Sequence, residues 1–217
     1  MTAQAAYELW YWSEIPGRGE FIRLALEAGG LPYRDCARED GDAAMVRDME
    51  QREGRRPFAP PYLVAGDLCI AQTANILDFL ARRHGLAPAD EGSLRFAHQL
   101  VLTMMDALDG AHNVHHPVSG GLYYHDQKAE AARAAKAYRE ERIPKFLGYF
   151  EGVLEESGPW LVGSGWSYAD LSLFQLLLGL EYAFPRRIAA MAEEWPLVLA
   201  LRDRVKALPE LAGYLGS

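Results

Sequence analysis

The chain has 217 residues, enough for one large domain or two modest ones, and half of them are hydrophobic, as a folded protein with a sizeable core requires. A net charge of −8 argues against the clustered surplus of Lys and Arg that phosphate neutralisation demands, so nucleic acid is not an expected partner. The most apolar stretch, residues 171–180, is too short to span a bilayer and carries Gln175, so a membrane is not an expected partner either. The first residues lack a basic run followed by an apolar one, so no secretory signal is expected. Cys36 and Cys69 stand apart with no CxxC pair, as reduced cytoplasmic thiols buried in strands would.

Residues 7–11 alternate and are rich in aromatics, which predicts a strand. A loop with Pro16 and Gly17 follows, and residues 18–28 place Ile22, Ala25 and Leu26 on one helical face ending at Gly29 and Gly30. A second strand is expected over 33–37, a second helix over 42–51, and a polar loop over 52–60. Strands at 62–64 and 68–71 flank Ala65-Gly66-Asp67, a hairpin signal, and an amphipathic helix over 73–84 closes at Gly85. The order β-α-β-α-β-β-α implies a mixed four-stranded sheet, since a helix between neighbouring strands makes them parallel and a hairpin makes them antiparallel.

Residues 86–92 (LAPADEG) read as a linker, dividing the chain into a domain over 1–85 and an all-helical domain over 93–217. Helices are predicted at 93–114, 126–156, 168–182, 186–194 and 197–208, the second kinked or split by Pro144. Ser167 caps the helix that follows it, with Asp170 reaching back, and the run LSLFQLLLGL predicts that this helix crosses the middle of its domain. Tyr182 and Phe184 after it are expected in the core.

Two features carry chemistry. Gln72 and Thr73 open a helix, where unpaired N–H groups and the dipole favour an anion, although helix capping alone would also explain Thr73. Pro60-Pro61 directly precedes a strand, and a cis bond there would turn a carbonyl outward for a ligand to pair with as an added strand. His112 and His116 stand four apart, with His115 between and His125 beyond, but zinc wants a third protein ligand, so no metal is expected. With Pro117, Tyr123 and Tyr124 they are read as bordering a substrate pocket or capping a helix.

The segment PYLVAGDLCIAQTANILDFLARRHG resembles the glutathione-binding half of the cytosolic glutathione transferases. YELWYWSEIPGRGEFIRLALEAGGLPYRD is similar to their tyrosine-type classes, SYADLSLFQ matches the capping box of their second domain, and HHP with LYYHDQK is similar to a bacterial branch. The resemblance implies a thioredoxin-like domain followed by an all-α domain, glutathione as co-substrate, and conjugation of its thiolate to a small hydrophobic electrophile in a cleft at the domain boundary. A cytoplasmic homodimer with a role in detoxification is implied as well. A glutathione-binding protein with little catalysis, or an interaction protein on the same fold, are the alternatives.

Carried onto this sequence, the family's thiol-activating tyrosine falls on Tyr11 if the loop 13–15 holds one inserted residue; without the insertion Trp12 takes the position. Ser13 is the second candidate, because other classes use a loop serine. Pro16 replaces the family's first arginine, Arg18 stands close to the ligand, and Arg23 is expected on a solvated or salt-bridged face. Gln72, Thr73, Pro60 and Pro61 hold the peptide, with Pro60 lacking the N–H that the family usually offers. Asp106, with Asp109 close behind, matches the acidic residue that a partner subunit supplies to the glutamyl amine.

Overall fold

The computed structural model describes residues 7–190 and 193–216. The chain forms two compact units: one ends at Ala89 and also takes in the stretch from Lys206 onward, and the other runs from Asp90 to Val205.

In the first unit the strands are β1 (Tyr7–Trp10), β2 (Tyr33–Asp35), β3 (Tyr62–Ala65) and β4 (Leu68–Ala71), and the helices are α1 (Gly17–Ala28), α2 (Cys36–Asp40), α3 (Asp42–Gln51) and α4 (Thr73–His84). The sheet order is β2-β1-β3-β4, with β1 and β2 parallel and the other pairs antiparallel. Period-2 alternation sends the side chains of β1 to two faces. Tyr7 meets Phe79 of α4 edge to face at 6.5 Å on one face. Trp10 stacks on Tyr62 at 6.0 Å on the other, in a cluster with Cys36, Ala37 and Met45. The Tyr62 hydroxyl donates to Asp48 of α3 at 2.7 Å, which keeps this buried phenol satisfied. Helix α4 ends at Gly85, whose φ of +69° is the left-handed cap conformation that glycine adopts without strain.

The second strand is shorter than the sequence suggested. Cys36 lies not in a strand but at the start of α2, because Arg34 bonds Glu39 at 2.7 Å and also Asp40, folding the chain back immediately after Asp35.

The second unit contains α5 (Glu91–Asn113), α6 (Lys128–Ala137), α7 (Ile143–Ser157), α8 (Tyr168–Ala183), α9 (Pro185–Ala190) and α10 (Pro196–Lys206). Helix α8 is buried from Tyr168 to Leu177 and forms the centre of the unit. Its start is a full capping box. Ser167 Oγ accepts from the Ala169 N–H, while Asp170 accepts from the Ser167 N–H at 2.7 Å and from the Leu161 N–H at 2.8 Å. Glu151 of α7 does the same work for α10, accepting from the N–H groups of Leu197 and Val198 at 2.9 Å each.

The helix expected over 126–156 is divided by a π turn, Tyr138–Arg142, placed immediately ahead of Pro144. A proline ring presses on the carbonyl four residues back, here that of Glu140, and a widened turn relieves the contact. Tyr138 anchors that turn by donating to the Ala107 carbonyl at 2.6 Å. Tyr182 is a second correction: it is 92% exposed, while Phe184 is buried as expected. It lies in the last turn of α8, on the side away from the buried Leu180.

Candidate functional site

Register assembles the site. Trp10, Tyr62 and Ala71 are aligned across β1, β3 and β4, so the residues after Trp10, before Tyr62 and after Ala71 gather at one end of the sheet. These are Tyr11, Trp12 and Ser13; Pro60 and Pro61; and Gln72 and Thr73. Sequence reasoning selected all seven, and pairing brings them to a common edge.

Tyr11 is buried, with its ring lying over the first turn of α1. Its hydroxyl accepts the Arg18 N–H at 3.0 Å, which uses one of the unpaired amides at the helix start and leaves the phenolic hydrogen free to be donated. The close approach depends on glycines. A Cβ on Gly17 would stand 2.3 Å from the Tyr11 hydroxyl, and one on Gly19 would stand 2.5 Å from the ring. Gly17 also has φ +41°. The segment PGRG therefore reads physically as a cradle for an aromatic ring.

Trp12 is 39% exposed beside it. Ser13 is half-buried, and its N–H donates to Asp42 Oδ1 at 2.9 Å, tying the loop to the start of α3. Sequence reasoning missed Asp42, since nothing local links positions 29 apart. Arg18 is half-buried on the first turn of α1.

The Pro60–Pro61 bond is cis and leads directly into β3. Pro61 is buried. At the end of β4 Gln72 takes φ +70°, the one positive value for a non-glycine among the described residues, and its side chain makes no cap bond. A non-glycine residue held there costs of order 1–3 kcal/mol, and such strain concentrates at ligand sites. Thr73 is the first residue of α4 and is 3% exposed, yet its Oγ1 is buried with no hydrogen-bond partner. Capping therefore does not account for Thr73. A buried hydroxyl left unpaired costs about 1–3 kcal/mol, and it sits among uncapped first-turn amides, which is an anion-receptive arrangement.

Arg23 is salt-bridged but fully buried rather than solvated. Its Nε donates to Asp35 Oδ2 at 2.6 Å, and its Nη1 donates to Glu20 Oε2 at 3.1 Å and to the Pro16 carbonyl at 3.4 Å. Burial alone would depress the guanidinium pKa, but Asp35 and Glu20 outweigh it and raise it. Glu20 stands three residues before Arg23 on the same helix, a spacing that could have identified one of these pairs; Asp35 could not be seen from sequence.

Burial disfavours the thiolate at both cysteines. Burial pushes the Cys36 thiol up to about 12, with Glu8 adding to it, and burial raises that of Cys69 as well.

In the second unit, Asp106 and Asp109 lie on the exposed side of α5. The histidine-rich segment after α5 is organised by Gln127, which is 1% exposed. Its Oε1 accepts from the N–H groups of Val118 and Ser119 at 3.0 and 3.4 Å, and its Nε2 donates to the carbonyls of Ser119 and Leu122 at 3.1 Å each. The rings of His112 and His116 are 6.3 Å apart, and no group of three or more His, Cys, Asp or Glu among the described residues could hold a metal ion.

Residues 112–217 match the family model "Glutathione S-transferase, C-terminal domain". The chain is 24% identical over 214 residues to a glutathione S-transferase of Plasmodium falciparum, covering 94% of this chain and 93% of the other. It is 28% identical over 203 residues to glutathione S-transferase A3 of Mus musculus, covering 92% and 84%. In fold it is similar to a Pi-class glutathione S-transferase of Onchocerca volvulus, with a TM-score of 0.76, 24% identity, and 97% and 92% of the two chains covered.

Proposed function

Since the chain belongs to the cytosolic glutathione S-transferase superfamily, we propose that the edge formed by Tyr11, Pro61 and Thr73 binds glutathione and activates its thiol for attack on a small hydrophobic electrophile. The protein is a glutathione S-transferase with glutathione as co-substrate. The observation that carries the site assignment is the buried, unpartnered Thr73 Oγ1 at the uncapped start of α4.

Each part of the peptide has a matching group. The Thr73 hydroxyl and the first-turn amides of α4 donate to the γ-glutamyl carboxylate, with Gln72 beside them. The Pro60 carbonyl accepts from the cysteinyl N–H, while the reciprocal bond is missing because Pro60 has no N–H. Trp12 and Arg18 flank the ligand. Tyr11 donates to the sulfur. Lowering an ordinary thiol pKa by two units requires about 2.7 kcal/mol of preference for the anion. A hydrogen bond to a charged group supplies about 1.5–3 kcal/mol, and the start of α1 adds some tenths, so one hydroxyl over a helix N-terminus suffices. Ser13 is the second candidate, but its loop is tied by its main chain to Asp42, whereas the Tyr11 hydroxyl already engages the helix start.

The remaining reading rests on the superfamily. The chain acts as a homodimer, with Asp106 of a second copy meeting the glutamyl amine. The glutathione-binding domain is assigned to 1–85, the linker to 86–92 and the all-α domain with the second-substrate site to 93–217, although α5 already begins at Glu91 and the stretch from Lys206 onward groups with the first unit. A cytoplasmic location and a role in detoxification complete the proposal; no helix among the described residues is long and apolar enough to cross a membrane.

The test is calorimetric titration of glutathione followed by an assay with an aromatic electrophile. Saturable binding and turnover that both fall in Thr73→Val are expected. Absence of glutathione binding by the folded wild type would overturn the reading.

A further inference from the structure

The C-terminal stretch from Lys206 belongs to the same compact unit as the sheet and α1. After a single 3-10 turn, Pro209–Leu211, it forms the short helix α11 (Ala212–Leu215). Leu211 is fully buried and seats the stretch. From α11 the Tyr214 hydroxyl donates to Glu20 Oε1 at 2.7 Å, joining positions 194 apart. Burial and that bond raise the Tyr214 pKa well above an ordinary tyrosine, so it remains a donor across the working range.

Glu20 is one turn into α1, and its other oxygen takes Arg23 Nη1 at 3.1 Å with Arg38 at 3.9 Å. The same Nη1 reaches the Pro16 carbonyl, which also accepts the Glu20 N–H at 2.9 Å. Pro16 immediately precedes Gly17 and Arg18, the residue whose N–H holds the Tyr11 hydroxyl. Tyr214 is thus joined to Tyr11 within one unit by four polar contacts and the short backbone step from Pro16 to Arg18. The soft point is Gly17, whose positive φ and missing side chain let the first turn shift if the Pro16 carbonyl is released.

We propose that Tyr214 is a positioning residue for the thiol site, setting the Tyr11 hydroxyl through Glu20, Arg23 and the Pro16 carbonyl. The proposal rests on Tyr11 being the thiol-activating hydroxyl. Removing the Tyr214 hydroxyl leaves Glu20 Oε1 without this donor in a mostly buried setting. The carboxylate then turns to share Arg23 differently, and Arg23 loosens its hold on Pro16. A staple that served stability alone would lower the melting temperature without touching the thiol.

The experiment measures the pH midpoint of thiolate formation in the glutathione complex, by ultraviolet absorbance, for wild type, Tyr214→Phe, Tyr11→Phe and the double variant. Tyr214→Phe keeps the ring and its packing. Its midpoint is expected to rise by roughly 0.5–1 unit, which is about three- to ten-fold less thiolate well below the midpoint. The double variant is expected to match Tyr11→Phe alone, because the effect passes through that hydroxyl. Glu20→Gln, which still accepts from Tyr214 but loses its charge toward Arg23, is expected to shift the midpoint in the same direction. An unmoved midpoint in Tyr214→Phe beside a raised one in Tyr11→Phe overturns the proposal, and so does full additivity in the double variant. An unmoved midpoint in Tyr11→Phe would instead show that the wrong hydroxyl had been assigned, and this proposal would fall with that assignment.

Discussion

Tyr11 and Gly19 are matched surfaces: the tyrosine ring occupies the space where a side chain at Gly19 would begin, 2.5 Å from Cδ1. Gly19 has no unusual backbone angle to require glycine, so the close approach is what demands it. Alanine in a helix is favoured over glycine by about 1 kcal/mol, so Gly19→Ala should retain helix content by circular dichroism. It should nonetheless displace the ring and lower kcat/KM by about ten- to a hundred-fold, the equivalent of a lost 1.5–3 kcal/mol hydrogen bond. Full activity in a folded Gly19→Ala protein would sink the assignment of Tyr11.

Thr73→Val is expected to move binding and stability in opposite directions. Valine keeps the shape and removes the one buried polar atom that the protein leaves unpaired at this position. Stability should hold or rise by about 1 kcal/mol in denaturant unfolding. Glutathione affinity should fall about ten-fold by titration, as a hydrogen bond to a carboxylate is lost. If both fall together, Thr73 supports the fold and not the ligand.

Much of this was legible beforehand, and the reason is locality. Helices α3 and α4 cover the expected 42–51 and 73–84, α4 closing at Gly85, and the Gly66 hairpin set the β3–β4 register that delivers Gln72 and Thr73 to the edge. What escaped were consequences of distant pairing. Alternation over residues 33–37 could not reveal that Arg34 folds the chain back through Glu39 and Asp40. The hydroxyl over α1 was legible as a type, but the anchors of its surroundings, Asp42 for the loop and Glu20 with Tyr214 for the helix, lie up to 194 positions apart. Pro144 signalled a break correctly; the π turn that absorbs it depends on Tyr138 finding the Ala107 carbonyl.

The capping box of α8 makes a graded prediction. Ser167→Ala should cost about 1 kcal/mol, the usual value of an N-cap. Asp170→Ala should cost more, about 3 kcal/mol or above, because it strands the buried N–H groups of Ser167 and Leu161 together. Denaturant midpoints for the two variants check the order, and equal losses would mean that Asp170 contributes little beyond the local cap.

Cys36 should resist alkylation in the native protein at pH 8 and react only on unfolding, since burial holds its thiol near 12. The sign for stability follows. The folded thiol keeps its proton where an unfolded one loses it, so its contribution is whole below about 9 and declines as the pH rises toward 12. Mass spectrometry after a timed pulse of iodoacetamide measures the first effect, and rapid native labelling of Cys36 would contradict the burial described.

Gln127 has a consequence of another kind. Four backbone groups of the stretch from Val118 to Leu122 are fixed by one amide that stands outside it. The residues of the stretch itself, Val118 to Leu122, face solvent. Its shape is therefore inherited from a neighbour, and its own side chains are free to diverge without the fold having to be reinvented each time.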